Sequence, residues 1–594
     1  MMYVGSGLKA EEGKMNRKSF GELIAAMARY NPHGKAITYG PRKIGWRELN
    51  RRVNRFAHAL LTLGVKKGEH VVIMFHDCPE FIEANFALQK IGAVPVPMNF
   101  RFVAREIEYQ TNHCDAVLYI FEDLFLEEVL KARPMCKNVK TYICCARGGK
   151  AIPDDMLDYE VLMARNPDVE PLVVPTTGDD VCTICYTGGT TGLPKGVMLT
   201  YDNFWHLTAA VFGDLLGRLA SAPKGNFSRI IGRLLPIPGI ERGIDLLLQS
   251  PRIRMALGRM IPRLLPKTFA TPLAPLLNRL TGGFKMFLNM PLFHMANYQN
   301  LIAGPISGLC NFVLRPSIHF DPREVLEIIE RDRPMLVMFV PTQWKIVLDY
   351  PELHAYDRSA VLVAVTGTGV TPSERKKRIL EEFPNAVVVD VFGQTEMTPD
   401  TTLRIDAAPE DLKDGAVGMP ITGLEMRIMK EDGSQANQGE VGEILYRSPT
   451  VMKGYYGEEE KTAEVMRDGW FRSGDLGYLD EEGELIVIGR KTETINTGGE
   501  KVYPHEVEEI LESHAKVEHA CVIGVSDEKW GSIVRAVIVL RDGPKASPDE
   551  LTAWCRDKLT GFKIPKSFVF AETLPVNVVG KVQRKQVKEV YGNP

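Results

Sequence analysis

No uninterrupted apolar run in the sequence approaches 18 residues, so we expect no helix that crosses a bilayer. The first twenty residues carry six charged side chains and no apolar core, a pattern typical of neither a signal peptide nor a membrane anchor. The net charge is only -3, and no zinc-finger, basic-zipper or RNA-binding signature is found. The sequence therefore predicts no nucleic-acid partner.

Cysteine is sparse, with ten residues in a chain of 594. The one CxxC pair, Cys182 and Cys185, lies in an apolar stretch that we expect to be a buried strand. No second pair follows at zinc spacing. We interpret all ten as reduced thiols of a cytoplasmic protein.

The chain is too long for one hydrophobic core, and its 45% hydrophobic and 25% charged residues are ordinary for a globular protein. Apolar residues recur at helical spacing over residues 44–63 and 81–91, and short apolar runs at 71–75 and 93–97 predict strands. The same alternation returns over residues 361–392. Such alternation predicts an α/β fold with helix-covered, largely parallel sheets.

The last third of the chain has a different pattern. Beyond residue 415, glycines separate short apolar runs, which predicts a small antiparallel, β-barrel-like region. From residue 491 helix and strand patterns mix over about 100 residues, enough for a small α+β domain. We therefore predict an N-terminal extension at residues 1–19, a large domain at 20–490 and a small domain at 491–594.

A basic and apolar stretch at residues 228–285 lies within an insert that spans about 212–285. It holds ten Lys or Arg against two acids, a net charge of +8, with Leu, Ile and Met between them. Short helices of this composition bind anionic membranes, so peripheral contact with the inner membrane surface is one prediction. The alternative is that these helices pack on the body of the protein or close a pocket.

A loop rich in glycine and threonine follows the strand at Cys182 and Cys185, and it is equipped to bind phosphate. The residues that offer amides, hydroxyls or an ammonium group to an oxyanion are Thr187, Gly188, Gly189, Thr190, Thr191, Gly192 and Lys195. The loop is not the common Gly-Lys-Ser/Thr phosphate motif, because Lys195 lies between Pro194 and Gly196. An exposed turn is the alternative interpretation.

Four further stretches occur downstream of this loop, and the five together resemble the ordered motifs of the adenylate-forming superfamily. They are Pro-Leu-Phe-His at 291–294, Val-Phe-Gly-Gln-Thr-Glu at 391–396, Gly-Trp-Phe-Arg-Ser-Gly-Asp at 469–475 with Gly-Arg at 489–490, and Gly-Lys-Val-Gln-Arg at 580–584. The resemblance is closest to acyl-CoA synthetases and extends over residues 20–586. It implies a large N-terminal domain and a small, mobile C-terminal domain.

The resemblance also implies two half-reactions. A carboxylate and MgATP give acyl-AMP and pyrophosphate, and CoA then takes the acyl group. In this family the loop with Lys195 binds the β and γ phosphates. Thr395 donates to the α-phosphate, and Glu396 binds Mg²⁺, a cation that prefers carboxylate oxygens.

The resemblance assigns nucleotide contacts to several other residues. The segments around adenine are Gly367, Thr368 and Gly369, and Asp390, Phe392, Gly393 and Gln394. Asp475, beside Arg490, accepts from the ribose hydroxyls. Lys581 enters the site for adenylation, where it would place a point charge between the carboxylate and the α-phosphate.

Other positions are tied to the acid and to CoA. His294 occupies the position near the acyl carboxylate, although packing alone is an alternative for a lone histidine. Gly498 and Gly499 resemble the glycine loop beside the pantetheine arm, and Lys563 and Lys566 are candidate CoA phosphate contacts. The hinge position, usually Asp or Lys, is Thr492 here, which bears on the alternation between the two half-reactions.

The acid is predicted to be hydrophobic, and a medium- or long-chain fatty acid is the first candidate. Residues 291–297 contain no Asp to pair with an amino-acid ammonium group, and the basic, apolar insert suits an enzyme that takes its acid from a membrane. Two alternatives stay open: an acyl-AMP ligase that loads a separate carrier protein, and a membrane-associated fatty-acid uptake protein with weak catalysis. The motifs do not specify chain length, ring or branch preference, or oligomeric state.

Overall fold

The structure, a computed structural model, describes residues 3–4, 19–172, 174–187, 194–222, 226–235, 237–369, 371–577 and 581–592. Most of the predicted phosphate loop (Gly188, Gly189, Thr190, Thr191 and Gly192) lies outside the described residues, as do Gly580 and nearly all of the N-terminal extension.

Strands and helices alternate through much of the chain. The strands are β1 (Tyr3–Val4), β2 (Lys35–Tyr39), β3 (Arg42–Gly45), β4 (His70–Met74), β5 (Val94–Pro97), β6 (Leu118–Glu122), β7 (Thr141–Cys145), β8 (Leu157–Asp158), β9 (Val181–Thr187), β10 (Lys195–Thr200), β11 (Phe284–Leu288), β12 (Cys310–Leu314), β13 (Leu336–Phe339), β14 (Val363–Gly367), β15 (Val387–Gly393), β16 (Asp400–Asp406), β17 (Met419–Pro420), β18 (Glu425–Met429), β19 (Gly442–Arg447), β20 (Gly454–Tyr455), β21 (Met466–Arg467), β22 (Trp470–Leu479), β23 (Leu485–Arg490), β24 (Ile495–Thr497), β25 (Glu500–Val502), β26 (Val517–Asp527), β27 (Gly531–Leu540) and β28 (Ser567–Phe570).

The helices are α1 (Phe20–Tyr30), α2 (Trp46–Thr62), α3 (Pro79–Lys90), α4 (Ala104–His113), α5 (Leu126–Ala132), α6 (Tyr159–Arg165), α7 (Tyr201–Ser221), α8 (Phe227–Leu234), α9 (Ile240–Leu248), α10 (Pro251–Leu264), α11 (Leu273–Thr281), α12 (Met295–Ser307), α13 (Pro322–Asp332), α14 (Pro341–Leu348), α15 (Ser373–Glu382), α16 (Glu459–Val465), α17 (Pro504–Glu512), α18 (Pro548–Arg556) and α19 (Arg584–Tyr591).

Two largely parallel sheets form the main body, as the alternating pattern predicted. The five-stranded sheet has the order β5-β4-β6-β7-β8, and all its neighbours are parallel. The nine-stranded sheet has the order β17-β16-β15-β14-β13-β11-β12-β2-β3, with antiparallel strands only at its two edges. Their central strands are continuously apolar because helices cover both faces.

The glycine-rich region beyond residue 415 contributes an antiparallel sheet. Its strand order is β1-β18-β19-β22-β21, and β23 also pairs with β22. A three-stranded sheet, β20-β10-β9, joins this region to the predicted phosphate loop, because β10 pairs with both β9 and β20. The sequence-distant strand β20 is therefore brought beside the β9–β10 hairpin that carries Lys195.

Beyond Lys491 the chain builds its own sheets and core. β26, β27 and β28 form one sheet, β24 and β25 form a hairpin, and α17 packs against β26. The buried Val, Ile and Leu side chains of this part contact one another in clusters separate from the main cores. The mixed pattern predicted after residue 491 is confirmed.

The insert folds into helices α8 to α11. α10 packs closely on α7, where a side chain at Gly217 would approach Pro262 to 2.9 Å and a side chain at Gly258 would approach Ser221 to 3.0 Å. Glycine at these positions lets the two helix backbones lie close together. The inner face of the insert thus packs on the body of the protein, as one of the two alternatives predicted. Among the described residues, none of the helices is both long enough and apolar enough to span a membrane.

Candidate active site

Thr187 and Lys195 are the two ends of the predicted phosphate loop, and they are paired across the β9–β10 hairpin. The ammonium group of Lys195 lies 4.6 Å from the centre of the Tyr455 ring. The Tyr455 hydroxyl donates a hydrogen bond of 2.8 Å to Oε1 of Glu396. The phosphate-loop lysine and the predicted magnesium ligand therefore lie on either side of one tyrosine.

Thr395 and Glu396 are held in a short turn directly after β15. The turn requires glycine at position 393, because a Cβ there would lie 1.9 Å from the carbonyl oxygen of Pro399. Gln394 has a buried Nε2 with no hydrogen-bond partner among the described residues. Phe392, at the end of the strand, is half-buried, which leaves part of its ring available to a ligand.

Asp475 and Arg490 are paired residues of the antiparallel strands β22 and β23. Arg490 Nε lies 3.0 Å from Oδ1 of Asp475. Burial raises the pKa of Asp475, while the positive charges of Arg490 and Lys581 oppose that rise. The negative charge of Glu396 acts in the same direction as burial.

Lys581 follows the C-terminal sheet, and its positive charge acts on Asp475. Its backbone N–H donates to Oδ1 of Asn577 at 2.8 Å, which anchors the base of the side chain. Solvent still reaches the side chain, but the surrounding protein lowers the pKa of Lys581 by desolvation, and Arg490 adds repulsion. Asp475 and Glu493 counteract both effects and favour the charged ammonium.

His294 caps the start of α12, and its Nδ1 accepts from the N–H of Ala296 at 3.3 Å. Desolvation, with a smaller contribution from the charge of Lys581, lowers the pKa of His294 to about 4. The imidazole is therefore neutral near pH 7.

Other predicted site residues lie apart from this cluster or have partners of their own. Asp390 is buried and pairs with Lys376 at 2.5 Å, so its carboxylate is engaged within the protein. Thr368 adopts a φ of 63°, a left-handed conformation that is unusual for a β-branched residue, between Gly367 and Gly369. The predicted nucleotide contacts of these residues stay predictions.

Gly498 and Gly499 lie on the β24–β25 hairpin of the C-terminal part. The N–H of Gly498 donates to the carbonyl oxygen of Trp530 at 2.9 Å, and a Cβ at Gly498 would lie 2.5 Å from the Trp530 ring. Among the described residues, no hydrogen bond or ion pair joins Gly498 or Gly499 to Asp475, Lys581 or His294. The glycine loop therefore lies apart from the predicted adenylation cluster, which comprises Glu396, Asp475, Arg490, Lys581 and His294.

Two residues of interest were missed from the sequence. Tyr455 bonds Glu396, but only the pairing of Val197 with Tyr455 across β10 and β20 brings it to the site. Trp530 is 41% exposed beside Gly498, and no motif marks it. The only sequence signal for Tyr455 was an aromatic residue next to Gly454. The sequence contains no signal for Trp530.

Comparison with known proteins identifies the family. The family profile described as AMP-binding enzyme matches residues 24–223 and 268–456, and the profile described as AMP-binding enzyme C-terminal domain matches residues 506–581. The chain belongs to the AMP-binding enzyme family. As a member of the CoA ligase branch of these adenylate-forming enzymes, it is an acid–thiol ligase.

Relatives of this AMP-binding enzyme include CoA ligases for different acids. It is 30% identical to a feruloyl-CoA synthase of Amycolatopsis sp over 97% of this chain and 100% of that protein. It is 27% identical to a long-chain-fatty-acid–CoA ligase of Bacillus subtilis (strain 168), over 96% and 94% of the two chains. The crystal structure of an anthranilate CoA ligase in complex with anthranoyl-AMP superposes with a TM-score of 0.78 at 22% identity, covering 97% of each chain, and this similarity supports the fold.

The donor set fits MgATP. Tyr455 occupies Oε1 of Glu396, so Oε2 would hold Mg²⁺, which would supply positive charge against the phosphates. Arg490 contacts Oδ1 of Asp475 and leaves Oδ2 for a ribose hydroxyl. The unpartnered Nε2 of Gln394 offers a further donor in the same turn. Lys581 would hold the carboxylate against the α-phosphate and stabilise the charge that builds there.

Lys581→Ala should reduce acid-dependent ATP–pyrophosphate exchange by about 100-fold or more, since a preorganised charge would be removed from the transition state. Lys585→Ala is the matched control, because Lys585 is an exposed lysine four residues further on. Exchange that stays unchanged in Lys581→Ala would contradict the assignment.

His294 should make the protein less stable in acid. Below pH 6.5 the unfolded chain protonates this residue, whereas the folded chain does not until about pH 4. Its contribution to the free energy of unfolding therefore falls as the pH decreases through this window. His294→Phe should lose less stability between pH 7 and pH 4.5 than the wild type does, as measured by urea denaturation. His33→Phe, a change at an exposed position, is the control, and equal losses in all three proteins would refute the interpretation.

Proposed function

We propose that this enzyme activates a hydrophobic carboxylic acid and transfers its acyl group to CoA. A medium- or long-chain fatty acid is the first candidate substrate. A carboxylate oxygen attacks the α-phosphorus of ATP, and pyrophosphate leaves. The CoA sulfur then attacks the acyl carbonyl, AMP leaves, and the thiol proton is released. We also propose contact of the 228–285 stretch with a membrane, in which such an acid dissolves.

The surroundings of His294 are the observation that supports a hydrophobic acid as the substrate. The imidazole is neutral and desolvated, and its neighbours in the chain are Phe293 and Met295. The Phe293 ring lies 5.5 Å from that of Phe100, edge to face. An apolar body is favoured at such a wall, whereas a second charged group on the acid would have no partner in residues 291–297.

An aryl acid is the second candidate. The observation in its favour is the 30% identity, over 97% of the chain, to a protein named feruloyl-CoA synthase. The rings of Phe100 and Phe293 suit an aromatic acid as well as an alkyl chain.

CoA as the acceptor is supported by the surroundings of Gly498. Trp530, whose ring packs against this glycine, also has the ammonium group of Lys566 at 3.9 Å and that of Lys529 at 5.1 Å from its centre. An exposed aromatic ring can stack on adenine, and two ammonium groups beside it suit phosphates. Lys563 pairs with Glu506 at 2.6 Å, and its contact with a CoA phosphate stays a prediction. The hairpin must move toward the adenylation cluster for the second half-reaction.

The acid is identified by ATP–pyrophosphate exchange with a panel of fatty acids of 6 to 18 carbons and a panel of cinnamic acids. We expect fatty acids to give at least tenfold higher kcat/KM, since each buried methylene contributes about 0.8 kcal/mol. Higher values for the cinnamic acids would select the second candidate. Exchange only with amino acids or short dicarboxylic acids would refute a hydrophobic substrate.

Trp530→Ala should raise the KM for CoA about tenfold, because base–aromatic stacking contributes about 1–3 kcal/mol. Pyrophosphate exchange without CoA should be unchanged. Trp530→Phe keeps the packing against Gly498 and should retain most of the CoA affinity. Equal effects of Trp530→Ala on both half-reactions would show that the tryptophan is only structural.

A further inference from the structure

The outer surface of α10 carries two parallel stripes of different chemistry. With about 100° between successive helical residues, Arg252, Arg259 and Arg263 fall within about 40° of one another. Ile253, Met260 and Leu264 have the same spacing one residue later and form the adjacent stripe. Gly258 and Pro262, which pack on α7, define the inner face, so the apolar stripe lies roughly opposite the body of the protein.

The apolar stripe is part of a larger exposed surface. Met260 and Leu264 are each 50% exposed, and on the preceding helix Leu246 and Leu247 are 67% and 56% exposed. Burial of such side chains in the protein would be favourable, yet the fold leaves them in solvent. The surface therefore has the composition of one that meets an apolar phase.

A cavity of about 500 Å³ opens beside the arginine stripe, between α10, α7 and the loop at Thr422. Three arginines line it, Arg218, Arg259 and Arg263, against one acid, Asp214. Asp214 is engaged within the protein, since it lies 3.5 Å from Nη2 of Arg218 and accepts from the N–H and the hydroxyl of Thr422 at 2.7 and 2.6 Å. The cavity is therefore strongly electropositive.

The positive charge that is available to a ligand comes from Arg259 and Arg263. Arg218 donates to the carbonyl oxygens of Leu403 and Pro420, which fixes its position. Arg259 and Arg263, in contrast, make no hydrogen bond or ion pair within the described ranges, and both are exposed. Two free guanidinium groups on successive turns of a helix match the oxygens of a phosphate group.

The family chemistry does not account for this surface. The AMP-binding profile matches up to residue 223 and resumes at 268, so α8, α9 and α10 lie outside it. None of their residues belongs to the cluster around Lys581. The exposed arginines and leucines therefore call for a different role.

As a refinement that rests on the membrane contact proposed above, we propose that α10 docks on an anionic phospholipid bilayer, with the lipid headgroup phosphate in the cavity of Arg218, Arg259 and Arg263. The apolar stripe enters the boundary of the acyl chains, and the arginine stripe beside it remains at the depth of the phosphates. A soluble anion would use only the arginines, and an acidic protein would not require the exposed Met260 and Leu264. A lipid surface uses both stripes at once.

The test is sedimentation of the full chain with vesicles of phosphatidylcholine alone and with 30% phosphatidylglycerol. We expect binding only to the second kind, weakened by salt. Arg259→Gln with Arg263→Gln should raise the half-saturating lipid concentration about 25-fold, at about fivefold for each arginine. Met260→Ser with Leu264→Ser should weaken binding at unchanged charge.

The charge-matched control is Arg323→Gln with Arg331→Gln on α13, two exposed arginines outside the insert, which should leave vesicle binding unchanged. Pyrophosphate exchange should be the same in all variants, which shows that they fold, and the binding assay does not depend on the identity of the acid. Equal binding by the Arg259/Arg263 variant and the wild type would overturn the proposal. So would full displacement from vesicles by millimolar inorganic phosphate, which would indicate a soluble-anion site, and binding to both kinds of vesicle alike.

Discussion

Charge balance around Lys581 is the constraint on which the site depends. A lysine in a desolvated cleft that already holds Arg490 is destabilised in its charged form, and its pKa is lowered accordingly. Asp475 counteracts this, because it pairs with Arg490 through the register of β22 and β23 and also attracts Lys581. The antiparallel pairing of β22 and β23 thus positions a negative charge that attracts the ammonium group of Lys581, about 100 residues further along the chain. Without Asp475, the positive charges of Arg490 and Lys581 would repel each other with only Glu493 to counteract them.

The contacts between the main body and the C-terminal part hold this arrangement. Lys345 pairs with Glu518 at 2.9 Å, and Lys501 pairs with Glu431 at 2.5 Å. Both pairs are solvent-accessible, so each contributes little stability and can be exchanged readily. Thr492 lies in a short turn directly after Arg490, and the next residue, Glu493, bonds Arg584 at 3.2 Å. A junction of weak pairs around a turn is compatible with the rearrangement that the second half-reaction needs.

The sequence predicted the fold and most of the cluster for different reasons. Apolar runs placed β4 and β15, and helical spacing placed α2 and α3, since these elements bury side chains at the periods of strand and helix. Motif order supplied Glu396, Asp475 and Lys581. Tyr455 could not be found, because its contact with Glu396 depends on the pairing of β20 with β10. The insert was predicted only as two alternatives, since composition cannot show which face of α10 meets α7.

The close packing of α7 on α10 has a mechanical consequence. α7 begins directly after β10, the strand that starts at Lys195, and runs without a break to Ser221. About 17 residues separate its first residue from the Gly217 contact, a rigid distance of about 25 Å. One continuous helix therefore connects the strand of the phosphate-loop lysine to the insert. Any anchoring of α10 would fix the height and tilt at which the nucleotide end of the enzyme stands above the anchoring surface.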